Sequence, residues 1–542
     1  MTEDYVLNGP PGFNLPNISL GQFILDKLVK NPLSIVQVNA KTGEILTSHD
    51  LLKKSVRLAV SLDERYHCKP GDTIAISSEN NCDFFIAVCA GLFRGACIAP
   101  INSSYLKDEI HHCLNISKPK IIFVSQKTSK LIHDVIKNSS WNIEIIQFEL
   151  GTIESNESIM MNDIIGGSKI WPDEFFYRAE IIDNPCDIEA VILCSSGTTG
   201  LPKGVMLSHK NMLAIIYAME SPQFFRDLKN GTVLLTIPFF HGYGLATMLS
   251  IISRGLTVVF MSSFDPQLFC QTIQKYRINS IPLVPPIMSF LAKHPMISQF
   301  DFSSVKEITC GAASLSREIL IAVKKRFNNN IVIRQGYGMT ELSVAVSITP
   351  PDSAEFKPDS VGLLTPGTQC KVIDPSTSVS LGPNKIGELC FKGDHVMIGY
   401  KDNYQATNDT IDENKWLHTG DLGYYDNEKY LYIVGRIKEL IKYNGFQISP
   451  AEIENYLLKH SSVIDAAVVG KNDETCGQLP VAFVVKKHNS TVTPDELRAY
   501  IDERVSSPKR LRGGVVFVNE IPKNPSGKIL RKKLEKLLQS KL

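Results

Sequence analysis

Ala190-Val-Ile-Leu-Cys-Ser-Ser-Gly-Thr-Thr-Gly-Leu-Pro-Lys-Gly204 is the stretch from which the rest of this chain is read. Its apolar half, Ala190 to Cys194, predicts a buried strand. The strand runs into a loop where Gly197, Gly200 and Gly204 let backbone N–H groups approach an anion closely. Ser195, Ser196, Thr198 and Thr199 add hydroxyl donors, and Lys203 adds a positive charge. That combination suits a polyphosphate. It is not a Walker A loop, because Lys203 is followed by Gly204 rather than by Ser or Thr. A plain Gly/Ser surface loop would explain the glycines but not the lysine and hydroxyls together.

Around this loop, β-rich runs alternate with helical patterns. Thr73–Ser77, Lys120–Val124 and Thr257–Met261 read as strands; Asp83–Phe93 and Pro266–Lys275 read as helices. Such alternation predicts α/β architecture with largely parallel sheets. Ile386–Tyr400, punctuated by Gly and charge, reads as antiparallel β, a small barrel-like part of the same large domain. After the strand at Tyr430–Val434 the texture changes to compact α+β, with helices at Pro450–His460 and Pro494–Arg504 and strands at Val463–Gly470 and Pro480–Val485. The expected division is an N-terminal domain over 1–435, a hinge at 436–438 and a small mobile domain over 439–542.

With 542 residues, 43% of them hydrophobic, the chain exceeds one domain of ordinary size. Lys+Arg 57 against Asp+Glu 56 leaves no overall field to attract nucleic acid or an anionic membrane. The basic run Lys528–Lys536 interleaves with leucines and reads as a solvated helix face. The 12 cysteines form no C-x-x-C pair and no zinc-spaced cluster, and Met1–Gly9 lacks an apolar run, so reduced thiols in an intracellular compartment are expected. Cys194 and Cys310 read as packed hydrophobes. The most apolar region, Val233–Met261, is broken by Pro238, His241 and Arg254, so no transmembrane segment is expected. Ser540-Lys541-Leu542 reads as a peroxisomal address recognised by an import receptor.

Four further motifs follow in order. They are Gln335-Gly-Tyr-Gly-Met-Thr-Glu341, Trp416-Leu-His-Thr-Gly-Asp421, Gly435-Arg-Ile-Lys-Glu-Leu-Ile-Lys442 and Pro522-Lys-Asn-Pro-Ser-Gly-Lys528. With the loop at Ser195–Gly204 they resemble the adenylate-forming superfamily of acyl-CoA synthetases, 4-coumarate–CoA ligases, adenylation domains and beetle luciferases, over nearly the whole chain. The resemblance implies ATP-dependent activation of a carboxylic acid as acyl-AMP, followed by transfer to coenzyme A. Attack of a carboxylate on the α-phosphorus joins two anions, so cations and fixed dipoles are needed there.

By the same resemblance, Lys203 and its loop hold the β- and γ-phosphates, Thr340 the α-phosphate, and Glu341 a Mg²⁺ ion. Gly336, Tyr337 and Gly338 line the adenine site, while Asp421 and Arg436 take the ribose. Lys528 is the adenylation lysine and Lys438 the hinge about which the small domain swings between half-reactions. Many relatives have Asp where Gly435 stands. Lys442 and Gly445 belong to the loop that enters for thiolation, where Gly445 lets the pantetheine arm of CoA pass.

Pro238-Phe-Phe-His-Gly-Tyr-Gly244 resembles the acyl-pocket segment. His241 is expected beside the carboxylate, and Tyr243, Thr247, Gly311, Ala312, Ala313, Met339 and Val344 along the tail. Beetle luciferases typically carry arginine, histidine and serine where this chain has Ile215, Phe240 and Val344. Losing three polar groups favours a fatty acyl tail, at about 0.8 kcal/mol per buried methylene. A coumarate-like acid ligase and a luciferase stand as alternatives. A non-catalytic AMP-binding protein would have no need of Glu341, Asp421 and Lys528, all of which are present. No carrier domain is expected in the short stretch after Lys528, and a monomer is expected.

Overall fold

The computed structural model describes residues 5–540 apart from 138, 149–158, 168–170, 196–201, 227, 229–230, 314, 329, 352–356, 445 and 525–526. Two large, mainly parallel sheets form most of the N-terminal part. In one, the parallel strands Thr73–Ser77, Cys97–Ile101, Ile121–Val124 and Glu144–Gln147 adjoin Glu189–Ser195. This last strand turns back antiparallel into Lys203–Ser208. In the other, Thr232–Leu235, Thr257–Phe260, Ser280–Leu283, Glu307–Cys310 and Val332–Tyr337 run parallel.

One apolar cluster takes in Ile74 and Ile76 from the first sheet and Leu235 and Phe260 from the second. The helices Leu20–Lys30, Cys82–Phe93 and Gly242–Ser253 contribute to the same cluster and so lie between the sheets. Cys82–Phe93 is apolar on every side except at Asp83 because it is buried all round. Its N-terminus is capped by the Asn81 side chain, which accepts from Phe84 N–H.

The part expected to be barrel-like is an antiparallel six-stranded sheet built around Gln369–Ile373, Gly387–Lys392, Leu417–Tyr425 and Leu431–Arg436. Its last strand ends at Arg436, and a short 3-10 turn, Ile437–Glu439, leads into a five-stranded sheet with separate cores on its two faces. Ile453, Leu457, Leu497 and Ile501, from the helices Pro450–Lys459 and Pro494–Asp502, fill one core. Leu534, from the helix Arg531–Ser540, fills the other. Arg531 pins this last helix to Glu439 (2.9 Å), in the 3-10 turn, and to Glu454 (2.5 Å).

Val233–Met261 is a strand, a 12-residue helix and a second strand, and no helix among the described residues is long and apolar enough to cross a membrane. Among the described residues all 12 cysteines are free. Cys310 is packed in the core, with one side on the central cavity. The Cys113 thiol, buried beside Cys194 and hydrogen-bonded to it, is pushed far above its usual range.

Candidate active site

A cavity of about 540 Å³ opens where the three N-terminal sheets meet the small domain. Ser195, at the end of its strand, and Lys203, at the start of the next, are directly paired across the hairpin. Both line the cavity. Residues 196–201, including the expected phosphate ligands Ser196, Gly197, Thr198, Thr199 and Gly200, lie outside the described residues. The Lys203 ammonium stands 4.5 Å from the centre of the Tyr400 ring. The Tyr400 hydroxyl donates to Glu341 Oε1 at 2.9 Å. Tyr400 thus joins the lysine of one motif to the carboxylate of another, a role that its place in the sequence does not signal.

Gly336, Tyr337, Gly338, Met339, Thr340, Glu341 and Val344 all border the cavity. They lie at the end of the strand Val332–Tyr337 and on the tight connection from it to Ser347–Ile348. A Cβ on Gly338 would lie 1.9 Å from the Val344 carbonyl oxygen, so no larger residue fits there. Val344 itself has φ +94°, which is costly for a β-branched residue. Glu341 is buried, with one oxygen on the Tyr400 phenol. A carboxylate at the wall of a phosphate site is the donor type that a hard cation takes.

Asp421 is buried behind the lining rather than on it. Its Oδ2 accepts from the Tyr337 hydroxyl at 2.7 Å, and its Oδ1 forms an ion pair with Arg436 Nε at 2.9 Å. Oδ1 accepts no hydrogen bond among the described residues, which leaves acceptor capacity for a ribose hydroxyl. Burial raises the Asp421 carboxyl above its usual range, and the Arg436 guanidinium opposes that. Tyr337, expected to offer its ring to adenine, is thus also tied through its hydroxyl to Asp421, the carboxylate expected to take the ribose.

Lys528 reaches the cavity from the C-terminal part, beside Arg436 and Lys438, which line it too. The turn that carries it is held by the Asn524 side chain, which accepts from Lys528 N–H at 2.9 Å. Desolvation, aided by the neighbouring Arg436 charge, lowers the ammonium to about 8 against the pull of Glu439, Asp421 and Glu341. Lys442 is not brought to the cavity. It is exposed on the strand Ile441–Tyr443, with its backbone N–H held by Gln478 Oε1. Both lysines belong to the C-terminal part, and of the two Lys528 lines the cavity while Lys442 does not. Gly445 lies outside the described residues. A Cβ on Gly435 would come within 2.7 Å of Ser449 Oγ, so a larger residue here would turn that hydroxyl away from the Val434 carbonyl to which it donates.

His241 caps the helix Gly242–Ser253, accepting from Tyr243 N–H through Nδ1 at 3.2 Å. Burial lowers its pKa, so the ring is neutral with Nε2 carrying the proton. A neutral donor beside a helix N-terminus can orient a carboxylate without a competing proton transfer. Tyr243, Thr247, Gly311, Ala312, Met339 and Val344 line the cavity as expected, whereas Ala313 is not on the wall.

Two expectations about the tail need correction. Of the three positions compared with luciferases, only Val344 borders the cavity. Ile215 is buried beside a separate small cleft, and Phe240 packs on the core. The tail end is also less purely apolar than expected. Met219, Phe225, Leu228, Val233 and Ile251 are joined there by Ser250, Ser280, Glu307 and Thr309. Glu307 is ion-paired with the fully buried Arg334 at 3.4 Å and accepts from Ser280 Oγ at 2.9 Å. The sequence pattern does not signal this network, because its members lie on separate strands.

Residues 27–401 match the family described as AMP-binding enzyme, and residues 452–528 match its C-terminal domain. The chain belongs to the AMP-binding enzyme family. Luciferin 4-monooxygenase of Photuris pensylvanica is 40% identical over 544 residues, covering 99% of each chain. 4-Coumarate–CoA ligase 1 of Petroselinum crispum is 36% identical over 512 residues, covering 93% of this chain and 91% of that one. Among solved structures, ATP-bound MatB from Rhodopseudomonas palustris superposes with a TM-score of 0.86 over 97% of this chain and 99% of that one. At 24% identity that likeness speaks for the AMP-binding enzyme fold alone.

Proposed function

We propose that this AMP-binding enzyme is an ATP-dependent acid–CoA ligase acting on medium- or long-chain fatty acids. Carboxylate and ATP give acyl-AMP and pyrophosphate; acyl-AMP and coenzyme A then give acyl-CoA and AMP. The reading rests on one observation. Lys528, His241, Thr340 and Glu341 face a single cavity whose far end is walled by Met219, Leu228, Val233 and Ile251.

In the first step the His241 Nε2–H orients the acid carboxylate toward the α-phosphorus, and the Thr340 hydroxyl bonds the α-phosphate. The Lys528 ammonium neutralises charge building on the phosphoryl oxygens. Lys203 takes the outer phosphates, and Asp421 and Arg436 take the ribose. Mg²⁺, when bound, would neutralise phosphate charge, and Glu341 is the residue that would hold it. In the second step the small domain turns about Lys438, withdrawing Lys528 and presenting Lys442 and Gly445 to coenzyme A.

A second reading, an aromatic acid with a polar ring substituent, draws on Ser250, Ser280, Glu307 and the Thr247 hydroxyl, which is buried and has no hydrogen-bond partner among the described residues. The deciding experiment is acid- and CoA-dependent AMP release, with hexanoic to eicosanoic acids, 4-coumarate and luciferin, while recording light. Thioester formation from fatty acids without light supports the proposal. Turnover of 4-coumarate alone favours the second reading, and light from luciferin with no fatty acid turnover overturns both. Peroxisomal import through Ser540-Lys541-Leu542 and a monomeric state are part of the proposal. Diffuse signal from a fluorescent protein fused at the N-terminus, or a dimer in sedimentation, would sink the corresponding part.

A further inference from the structure

A second cluster of ligating side chains adjoins the ribose turn. Glu388 and Cys390, two residues apart, project from one face of the strand Gly387–Lys392. His418, on the neighbouring strand, is directly paired with Cys390. The donor atoms of all three lie within 4.8 Å of one another. His418 Nδ1 is 3.5 Å from Cys390 Sγ and 3.2 Å from Glu388 Oε2. One imidazole nitrogen serves only one of these partners, either donating to the carboxylate or accepting from the thiol. A cation at the common point would engage all three.

The spacings also suit a metal. Zn–N near 2.0–2.1 Å and Zn–S near 2.3 Å give tetrahedral ligand-to-ligand edges of about 3.3–3.6 Å. On the far side of the ring, Asp412 Oδ2 lies 3.6 Å from His418 Nε2. A carboxylate behind a ligating histidine is the usual device for fixing its tautomer. Glu388 and His418 line the central cavity, which supplies an entry path and room for a fourth, water ligand, while Cys390 closes the site from behind.

We propose that Glu388, Cys390 and His418 bind a divalent transition-metal ion of the zinc type, with water in the fourth position and Asp412 orienting the histidine. The mixed S/N/O donor set selects such an ion over Mg²⁺. Binding forms a metal–thiolate bond and releases the Cys390 proton to solvent. The site is separate from Glu341 and does not rest on the ligase reading.

The full-length reduced protein, stripped with chelator, is titrated with Co²⁺ in excess Mg²⁺. One equivalent is expected to bind with a thiolate-to-cobalt charge-transfer band. Cys390→Ser abolishes that band, and Asp412→Asn weakens binding about 10-fold. If Cys390→Ser does not fold, His418→Gln, at a half-buried position, reads the same loss. Absence of the band in the wild type, its persistence in the folded variant, or displacement of Co²⁺ by Mg²⁺ would overturn the proposal.

Discussion

The lowered pKa of Lys528 makes a quantitative prediction about pH. Burial and Arg436 bring its ammonium to about 8 in the ligand-free enzyme. With that value roughly nine-tenths of the lysine is charged at pH 7 and about one-tenth at pH 9, whereas a lysine with the usual pKa near 10.4 stays about 96% charged at pH 9. If the ammonium acts in adenylation, kcat/KM for acyl-AMP formation should fall about 10-fold from pH 7 to pH 9, because kcat/KM reports the free enzyme. Bound phosphates favour the charged form, so the falling limb of kcat should lie at higher pH. The assay is pyrophosphate release without CoA across pH 6 to 10, on the wild type and Lys528→Met. A profile flat to pH 9.5, or the same limb in Lys528→Met, would refute the assignment. The sign for stability is opposite. The folded protein binds fewer protons at Lys528 than the unfolded chain between pH 8 and its ordinary value, so this group's penalty on folding is relieved as pH rises through that window.

Other substitutions separate site from scaffold. Glu307→Gln leaves the buried Arg334 without its counter-charge and should destabilise the fold by about 3–5 kcal/mol in urea titration. Gly338→Ala must push the Val344 carbonyl aside, so unfolding should cost on the order of 1–3 kcal/mol less, alongside a large loss of AMP release. Tyr337→Phe removes the phenol from Asp421, a hydrogen bond to a charged group worth about 1.5–3 kcal/mol, and should show mainly as a raised KM for ATP. Val344→Gly relieves a strained φ while opening the acyl wall, so the enzyme should keep its stability and accept bulkier acids; unchanged acid selectivity would argue against Val344 as a wall.

Sequence alone marked the local motifs. Strand-then-glycine punctuation marked the loop after Ala190–Cys194, and the family resemblance carried by five motifs in order pointed to Lys203, Thr340, Glu341, Asp421 and Lys528. The motifs were legible because backbone turns are specified by neighbours a few residues apart. The helix Pro266–Lys275 and the strand Thr73–Ser77 were legible for the same reason, from periodicity and end signals within one element. Only the tertiary structure decided what meets across elements. It put Tyr400 between Lys203 and Glu341, and it hid Ile215 from the central cavity. Strands 27 residues apart brought Glu307 to Arg334, and the packing of the C-terminal part put Lys528 on the cavity while leaving Lys442 exposed outside it. Those outcomes depend on sheet order, register and domain pose, which many distant residues set together and no short window of sequence contains.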